Sequence, residues 1–426
     1  MKILIEATLN YRNMGDLAML QVCLRRLRSI WPDARFVTFT FDEERLANVC
    51  PGAIGIPAEA RNLWFARYRN FGSLSKIIPA RYQTLAALWR ALVDKSDKVS
   101  SDFISTLRDI DLFVISGMGS FHDAGGQPAM NMLETIALMK LLGIPSIAFS
   151  QGIGPIDRSS TVWPAARRCL PCLDLIALRE GRTGPALLQQ LGVPLDRIKI
   201  TGDDAIVSAY RESGPSLSNL LGVNLRVAFY SAITEDQAHR LSKMISRLAT
   251  TLGAALTALP CSHVPGESDL QTFTRIFPGL QTRALSSGFQ MTPEWIIEET
   301  GRCRVVIAGS YHTAVFALSQ GIPTICLALS QYYQDKFLGL AAQFGPGCHV
   351  VRLDKGYEAA LVQAATQMWR TSDSHRKSLL SAARAQIKAA ERTWNQASAL
   401  ICYRRRGKLR AGSQIRDGPG RSYPES

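Results

Sequence analysis

Short, almost wholly apolar runs alternate along this chain with longer stretches patterned as helices, and that alternation restricts the fold more than any other feature. Runs at 2–8, 35–41, 112–116, 146–150, 173–178 and 198–201 read as strands, with helical patterns near 16–31, 129–142 and 183–191. Strands this apolar are buried on both faces, as in parallel sheets. The β–loop–α order implies an α/β fold with a mostly parallel, doubly wound sheet. A polar stretch at 213–224, containing Gly214-Pro215, reads as a linker. A second α/β unit follows, with strands at 227–231, 255–259, 304–308 and 324–328 and helices at 235–252 and 293–301. The expected organisation is therefore an N-terminal Rossmann-like domain over 1–212, a linker, and a C-terminal Rossmann-like domain over 225–373. A closing helix over 374–403 and a disordered basic tail over 404–426 complete it.

A chain of 426 residues is long enough for two such domains, each with its own core. Hydrophobic residues make up 46% and charged residues 20%, the balance of a globular protein. The chain has no apolar run long enough to span a bilayer and opens directly on a strand pattern, so the expected location is the cytoplasm. Nine cysteines without a repeating framework fit reduced thiols, and the lone Cys169-x-x-Cys172 lacks the second pair zinc would need; no metal is expected. The net charge of +14 is concentrated in two segments. Residues 61–95 carry seven Lys/Arg against one acid, and residues 404–426 carry seven against two. The remainder is only mildly basic, which excludes a nucleic-acid groove on the fold itself. In 61–95 the cations interleave with Trp64, Phe65, Tyr68, Phe71, Tyr82 and Trp89. Two readings stand open: an insert packing its aromatics on the N-terminal domain, or a segment resting on an anionic membrane surface.

The polar loops at strand ends are the candidates for chemistry, because ligands of open α/β sheets collect there. His312 lies in Gly309-Ser310-Tyr311-His312, between an apolar strand and a helix expected from Thr313, where the helix N-terminus favours an anion. Histidine's ordinary pKa suits proton transfer near neutrality. Asn13, Gly15 and Asp16 follow the first strand; Asp16 either caps the next helix or faces the cleft as a base. Gly117 and Gly119 permit close backbone approach to a phosphate or sugar, but His122 stands where a dinucleotide fingerprint would have its last glycine. Gln151 and Gly152 sit in a tight turn. Arg179, directly after a buried strand, offers a guanidinium to a carboxylate or phosphate, or pairs with Glu180. Lys336 is a second candidate anion clamp.

Taken in order, NYRNMGDLAML (10–20), VISGMGSFHD (114–123), SQGIGPI (150–156), ALREGRTGPALLQQLGV (177–193), TGDDAI (201–206), SYHTAVFALSQGIP (310–323) and YYQDKFLGL (332–340) resemble the polysaccharide pyruvyl transferase family. The resemblance implies a glycosyltransferase-B-like fold with two sheets facing a cleft. It implies transfer of a pyruvyl group from phosphoenolpyruvate to a hydroxyl pair of a saccharide or lipid-linked oligosaccharide, forming a ketal in cell-surface polysaccharide synthesis. No cofactor is needed beyond that donor. On this reading His312 and Asp16 are catalytic, and Asn13, Gly15, Gly117, Gly119, Gln151, Gly152, Arg179, Ser310, Tyr311 and Lys336 bind substrate. The family pattern near the histidine is Ser-Arg-x-His, and here Ser310 stands in the arginine's place. A nucleotide-sugar-dependent glycosyltransferase and a non-catalytic saccharide-binding relative are the alternatives.

Overall fold

In the computed structural model, the described residues are 1–68, 98–107, 109–212, 218–278, 280, 283–285 and 290–416. Two parallel sheets organise them. The first contains β1 (Lys2–Glu6), β2 (Arg35–Thr40), β3 (Ala53–Pro57), β4 (Leu112–Ile115), β5 (Ser146–Gln151), β6 (Leu175–Leu178) and β7 (Ile198–Ile200), in the order β3-β2-β1-β4-β5-β6-β7. The second contains β8 (Leu220–Asn224), β9 (Ala255–Ala258), β10 (Val305–Ala308), β11 (Thr324–Ala328) and β12 (Cys348–Arg352), in the order β12-β11-β10-β8-β9. Every strand pairing is parallel. The central strands β4, β5, β6, β10 and β11 are buried along their whole length, as their apolar composition requires.

Each order reverses direction once, between β1 and β4 in the first sheet and between β8 and β10 in the second. At such a switch point the loops leaving the two strands diverge to opposite faces and open a crevice. The loops after β1, β4, β8 and β10 therefore mark where a ligand would enter.

The second domain begins earlier than the sequence suggests. Its first strand is Leu220–Asn224, inside the stretch read as linker, while Phe229–Ser231 forms a 3-10 turn in place of the strand expected at 227–231. Gly222 made the true strand look weak. In the fold it is a packing requirement: a Cβ there would lie 2.6 Å from Leu259 Cδ1 and 2.7 Å from Cys303 Sγ. Just past the strand, the buried Arg226 turns its guanidinium to Asp269 and takes the chain out of the sheet.

The closing helix is also longer than expected. It starts at Tyr357, bends at Thr371 (φ −107°, ψ 15°) and runs to Arg416, into the region expected to be disordered. It returns to the first domain, where Trp394 stacks on Phe149 at 3.6 Å with an 8° interplanar angle. Arg26 lies over the same indole and pairs with Asp204 at 2.5 Å. Of the basic aromatic stretch 61–95, Arg61 is buried against Glu6, and Trp64 and Phe65 pack with Phe103 in the first domain's core. Residues 69–97, 108 and 417–426 lie outside the described residues. No described helix is long and apolar enough to cross a membrane.

Candidate active site

Both switch points open onto one cavity of about 200 Å³ between the domains. The first domain contributes Asn13 and Asp16 after β1, Gly119, Ser120 and His122 after β4, and Arg179 after β6. The second contributes Arg226 and Tyr230 after β8, Ser310, Tyr311 and His312 after β10, and Tyr332, Tyr333 and Lys336 after β11.

The helix at the heart of this wall runs from Tyr311 to Ser319, so His312 sits in its first turn and not in a loop before it. Ser310 is the N-cap residue but makes no side-chain capping bond. The Ser310 side chain therefore satisfies none of the N–H groups of this first turn, which carries the positive end of the helix dipole, and Ser310, Tyr311 and His312 line the cavity. At the other helix end in the cavity, Asn13 is the cap: its Oδ1 accepts from the N–H groups of Gly15 (3.1 Å) and Asp16 (3.4 Å). Asp16 is thereby freed from capping and lines the cavity. Gly15 lies directly against the histidine. A Cβ at that position would fall 1.8 Å from His312 Cγ and 2.0 Å from Nδ1.

Arg179 is fully buried, with its guanidinium carbon 4.2 Å from the centre of the Tyr311 ring. Its charge partner is Asp203, at 3.8 Å, and not the adjacent Glu180. Glu180 caps the helix Gly184–Gln190 instead, accepting from the N–H groups of Arg182, Thr183 and Gly184. Two glycines make room for Arg179. A Cβ at Gly152 would meet its guanidinium at 2.5 Å, and one at Gly119 would meet Arg179 Nη2 at 2.8 Å and Lys336 Nζ at 2.9 Å. Gly119 thus leaves room for both the Arg179 guanidinium and the Lys336 ammonium beside its backbone.

Lys336 sits 3.5 Å above the Tyr332 ring and donates to that residue's hydroxyl. The Tyr332 hydroxyl donates across the cleft to the Gly119 carbonyl at 3.0 Å, and the His122 ring packs on the Tyr332 ring at 4.4 Å. Burial and then the Arg179 charge hold the Lys336 ammonium well below the ordinary lysine range. Burial, with Lys336 and Arg179 adding to it, pushes His122 down to about 3. Burial is the larger cause of both shifts, and the neighbouring cations add to it.

Arg226 adds a third cation. Its Nε and Nη2 donate to the two carboxylate oxygens of Asp269 at 2.7 and 2.8 Å, and its Nη1 donates to the Tyr230 hydroxyl at 3.1 Å. Asp269 also accepts from Asn224 and from the backbone N–H groups of Cys261 and Ser262, so this arginine is held in one orientation.

Of the residues singled out from sequence, Asn13, Asp16, Gly119, Arg179, Ser310, Tyr311, His312 and Lys336 are brought together around the cavity. Gly15 and Gly152 lie behind it, giving space to His312 and Arg179. Gly117 and Gln151 lie outside the lining. Gly117 packs on Met19 and Ser150, and the buried Gln151 amide donates to the backbone carbonyls of Ser116 and Phe149. The Gln151 amide nitrogen thus finds its partners at the neighbouring strand ends, while its buried oxygen has none. Arg226, Tyr230, Tyr332, Tyr333 and Asp203 were not singled out. The first two follow a strand that was placed too late in the chain, and the tyrosines of YYQDK were passed over for the lysine beside them.

The sequence model of the polysaccharide pyruvyl transferase family matches residues 13–331. No curated protein matches the chain in sequence. Among solved structures, the UDP-GlcNAc 2-epimerase of Methanocaldococcus jannaschii superposes with a TM-score of 0.54 at 13% identity, over 92% of this chain and 99% of that one. Phytolacca americana UGT2, solved with UDP-2-fluoro-glucose and pterostilbene, gives 0.51 at 12% identity, over 96% and 99%. A putative UDP-N-acetylglucosamine 2-epimerase from Listeria monocytogenes gives 0.54 at 9% identity, over 92% and 94%. At such identities the likeness concerns the fold alone, which is glycosyltransferase-B-like. With three quarters of its length matched by the family model, the chain belongs to the polysaccharide pyruvyl transferase family.

Proposed function

We propose that this protein transfers a pyruvyl group from phosphoenolpyruvate to two hydroxyls of a saccharide, releasing phosphate and leaving a cyclic ketal. The observation that carries this reading is the convergence of Arg179, Lys336 and Arg226 with an uncapped helix N-terminus beside His312. The donor has two anionic groups, a carboxylate and a phosphate, so it calls for more than one cation beside a proton-transfer group. Ser310 stands in the family's arginine position, and Arg179, Arg226 and Lys336 line the same cavity.

In the first step a saccharide hydroxyl oxygen bonds to the donor's C2 as His312 protonates C3, converting the methylene to a methyl group. Asp16 takes the hydroxyl proton. In the second step the C2–O bond to phosphate breaks and a neighbouring hydroxyl oxygen bonds to C2 and closes the ketal; its proton returns to His312, and the proton held by Asp16 leaves with the phosphate. Arg179 and Lys336 stabilise the charge on the departing phosphate, an electrostatic role at which buried cations are effective. Acid–base assistance of this kind contributes about 10²- to 10⁴-fold. The acceptor is a saccharide, free or lipid-linked, consistent with the family's polysaccharide chemistry.

Thermal denaturation with added ligand tests the donor, because a molecule that binds only the folded state raises the midpoint. Phosphoenolpyruvate is expected to stabilise the protein, and UDP-sugars are not. Stabilisation by a UDP-sugar alone would replace this reading with sugar transfer.

A further inference from the structure

Among the described residues, the fully buried Asp203 is the carboxylate that pairs with both His312 and Arg179, the two groups on which the proposed chemistry depends. Its Oδ2 lies 3.6 Å from His312 Nε2 and 3.8 Å from Arg179 Nη1. Its other oxygen accepts from the Ala205 N–H at 2.8 Å, which fixes the carboxylate's orientation. Asp203 Oδ2, His312 Nε2 and Arg179 Nη2 are all buried, and none has a hydrogen-bond partner. Buried polar atoms are seldom left so. Three of them in one place mark a site whose bonds are completed in a working complex, since catalytic hydrogen bonds are often long in the empty protein.

We propose that Asp203 is the positioning residue of the site, orienting His312 through Nε2–H and steadying Arg179 with the same oxygen. A carboxylate on one imidazole nitrogen selects the tautomer and stabilises the protonated ring, leaving the other nitrogen to exchange its proton with substrate. Here that nitrogen is Nδ1. It lies on the ring edge packed against Gly15, in a wall of the cavity that Asn13 and Asp16 also line. The adjacent Asp204 does not share the role: it pairs with Arg26, below the C-terminal helix. The charged groups that face His312 across the cavity are Asp16, Arg179, Arg226 and Lys336, so Asp203 is the acid buried against its ring. Its consequence for turnover rests on the pyruvyl-transfer reading; its effect on the ring does not.

The test is nitrogen-15 NMR of histidine-labelled protein without substrate, with the His312 signals assigned by their loss in His312→Gln. Neutral His312 is expected as the Nε2–H tautomer, and the Nδ1–H tautomer would overturn the proposal. In Asp203→Ala, which leaves Nε2 without an acceptor, neutral His312 is expected to lose its preference for the Nε2–H tautomer. An unchanged tautomer preference in a folded variant would also overturn it. If that variant does not fold, the wild-type tautomer alone decides. Under phosphoenolpyruvate turnover, Asp203→Asn should lower kcat about 100-fold and move the alkaline limb of the pH profile to lower pH. Inactivity of the wild type with this donor would count against the donor and leave the two NMR outcomes standing.

Discussion

His312 and Gly15 occupy one space that only a residue without a side chain can share. Replacing His312 with alanine removes the proposed proton-transfer group, and turnover should fall at least about 100-fold. Gly15→Ala leaves the imidazole in the chain but drives it aside. A misplacement of about 1 Å can cost about 100-fold, so steady-state assays should find this variant nearly as impaired as His312→Ala. Activity close to wild type in either would remove His312 from its role. His122 gives a prediction of a different kind. Folding lowers its pKa from 6.5 to about 3, so between those values the unfolded chain holds a proton that the folded chain lacks. Stability therefore falls as pH drops through that window, by at most about 1.4 kcal/mol per pH unit from this residue. His122→Phe, which keeps a ring against Tyr332, should flatten that part of the curve in urea titrations at pH 7 and pH 4.5. At this scale the sequence revealed the residues at strand ends, such as Arg179 and Asp16, because apolar strands announce their own limits. Asp203 was quoted within TGDD but given no role. A buried acid's meaning lies in what the fold places beside it, and neither Arg179 nor His312 is near it in sequence.

Elements were legible where periodicity was strong and obscured where packing overrode it. The helices Glu235–Leu252 and Pro293–Gly301 and the strand Thr324–Ala328 have the limits that their patterns suggest. β8 was missed because glycine weakens a strand pattern, although Gly222 is there to admit Leu259 and Cys303. β3 and β12 are edge strands, only partly buried, and lack the continuous apolar run that identifies central ones. The C-terminal helix shows amphipathic spacing without revealing its partner. That partner includes Phe149 of the first domain, so the helix ties the chain's end to its beginning. Trp394→Ala should cost about 3–5 kcal/mol, as large aromatic deletions from cores do. A denaturation midpoint within about 1 kcal/mol of wild type would show that this contact contributes little.

At the scale of the molecule, two parallel sheets each reverse strand order once, and both reversals face the same cavity. This explains how residues as far apart in sequence as Asn13 and Lys336 meet. It also makes cleft geometry a condition of function, since the Tyr332 hydroxyl reaches Gly119 from the opposite domain. Tyr332→Phe removes that bond while keeping the ring beneath Lys336, and should raise the KM for donor more than it lowers kcat. A change confined to kcat would instead make the hydroxyl part of the chemical step. The domain arrangement followed from the alternation of strands and helices, whereas the shared cavity depends on which loops leave the switch points. The most direct measurement of the central claim is incubation of the protein with phosphoenolpyruvate and saccharide extracted from its own host, followed by phosphate assay and mass spectrometry. The account predicts phosphate release in step with a saccharide bearing one added pyruvyl ketal, both abolished in His312→Ala. Phosphate release without a ketal, or a ketal formed undiminished by His312→Ala, would contradict it.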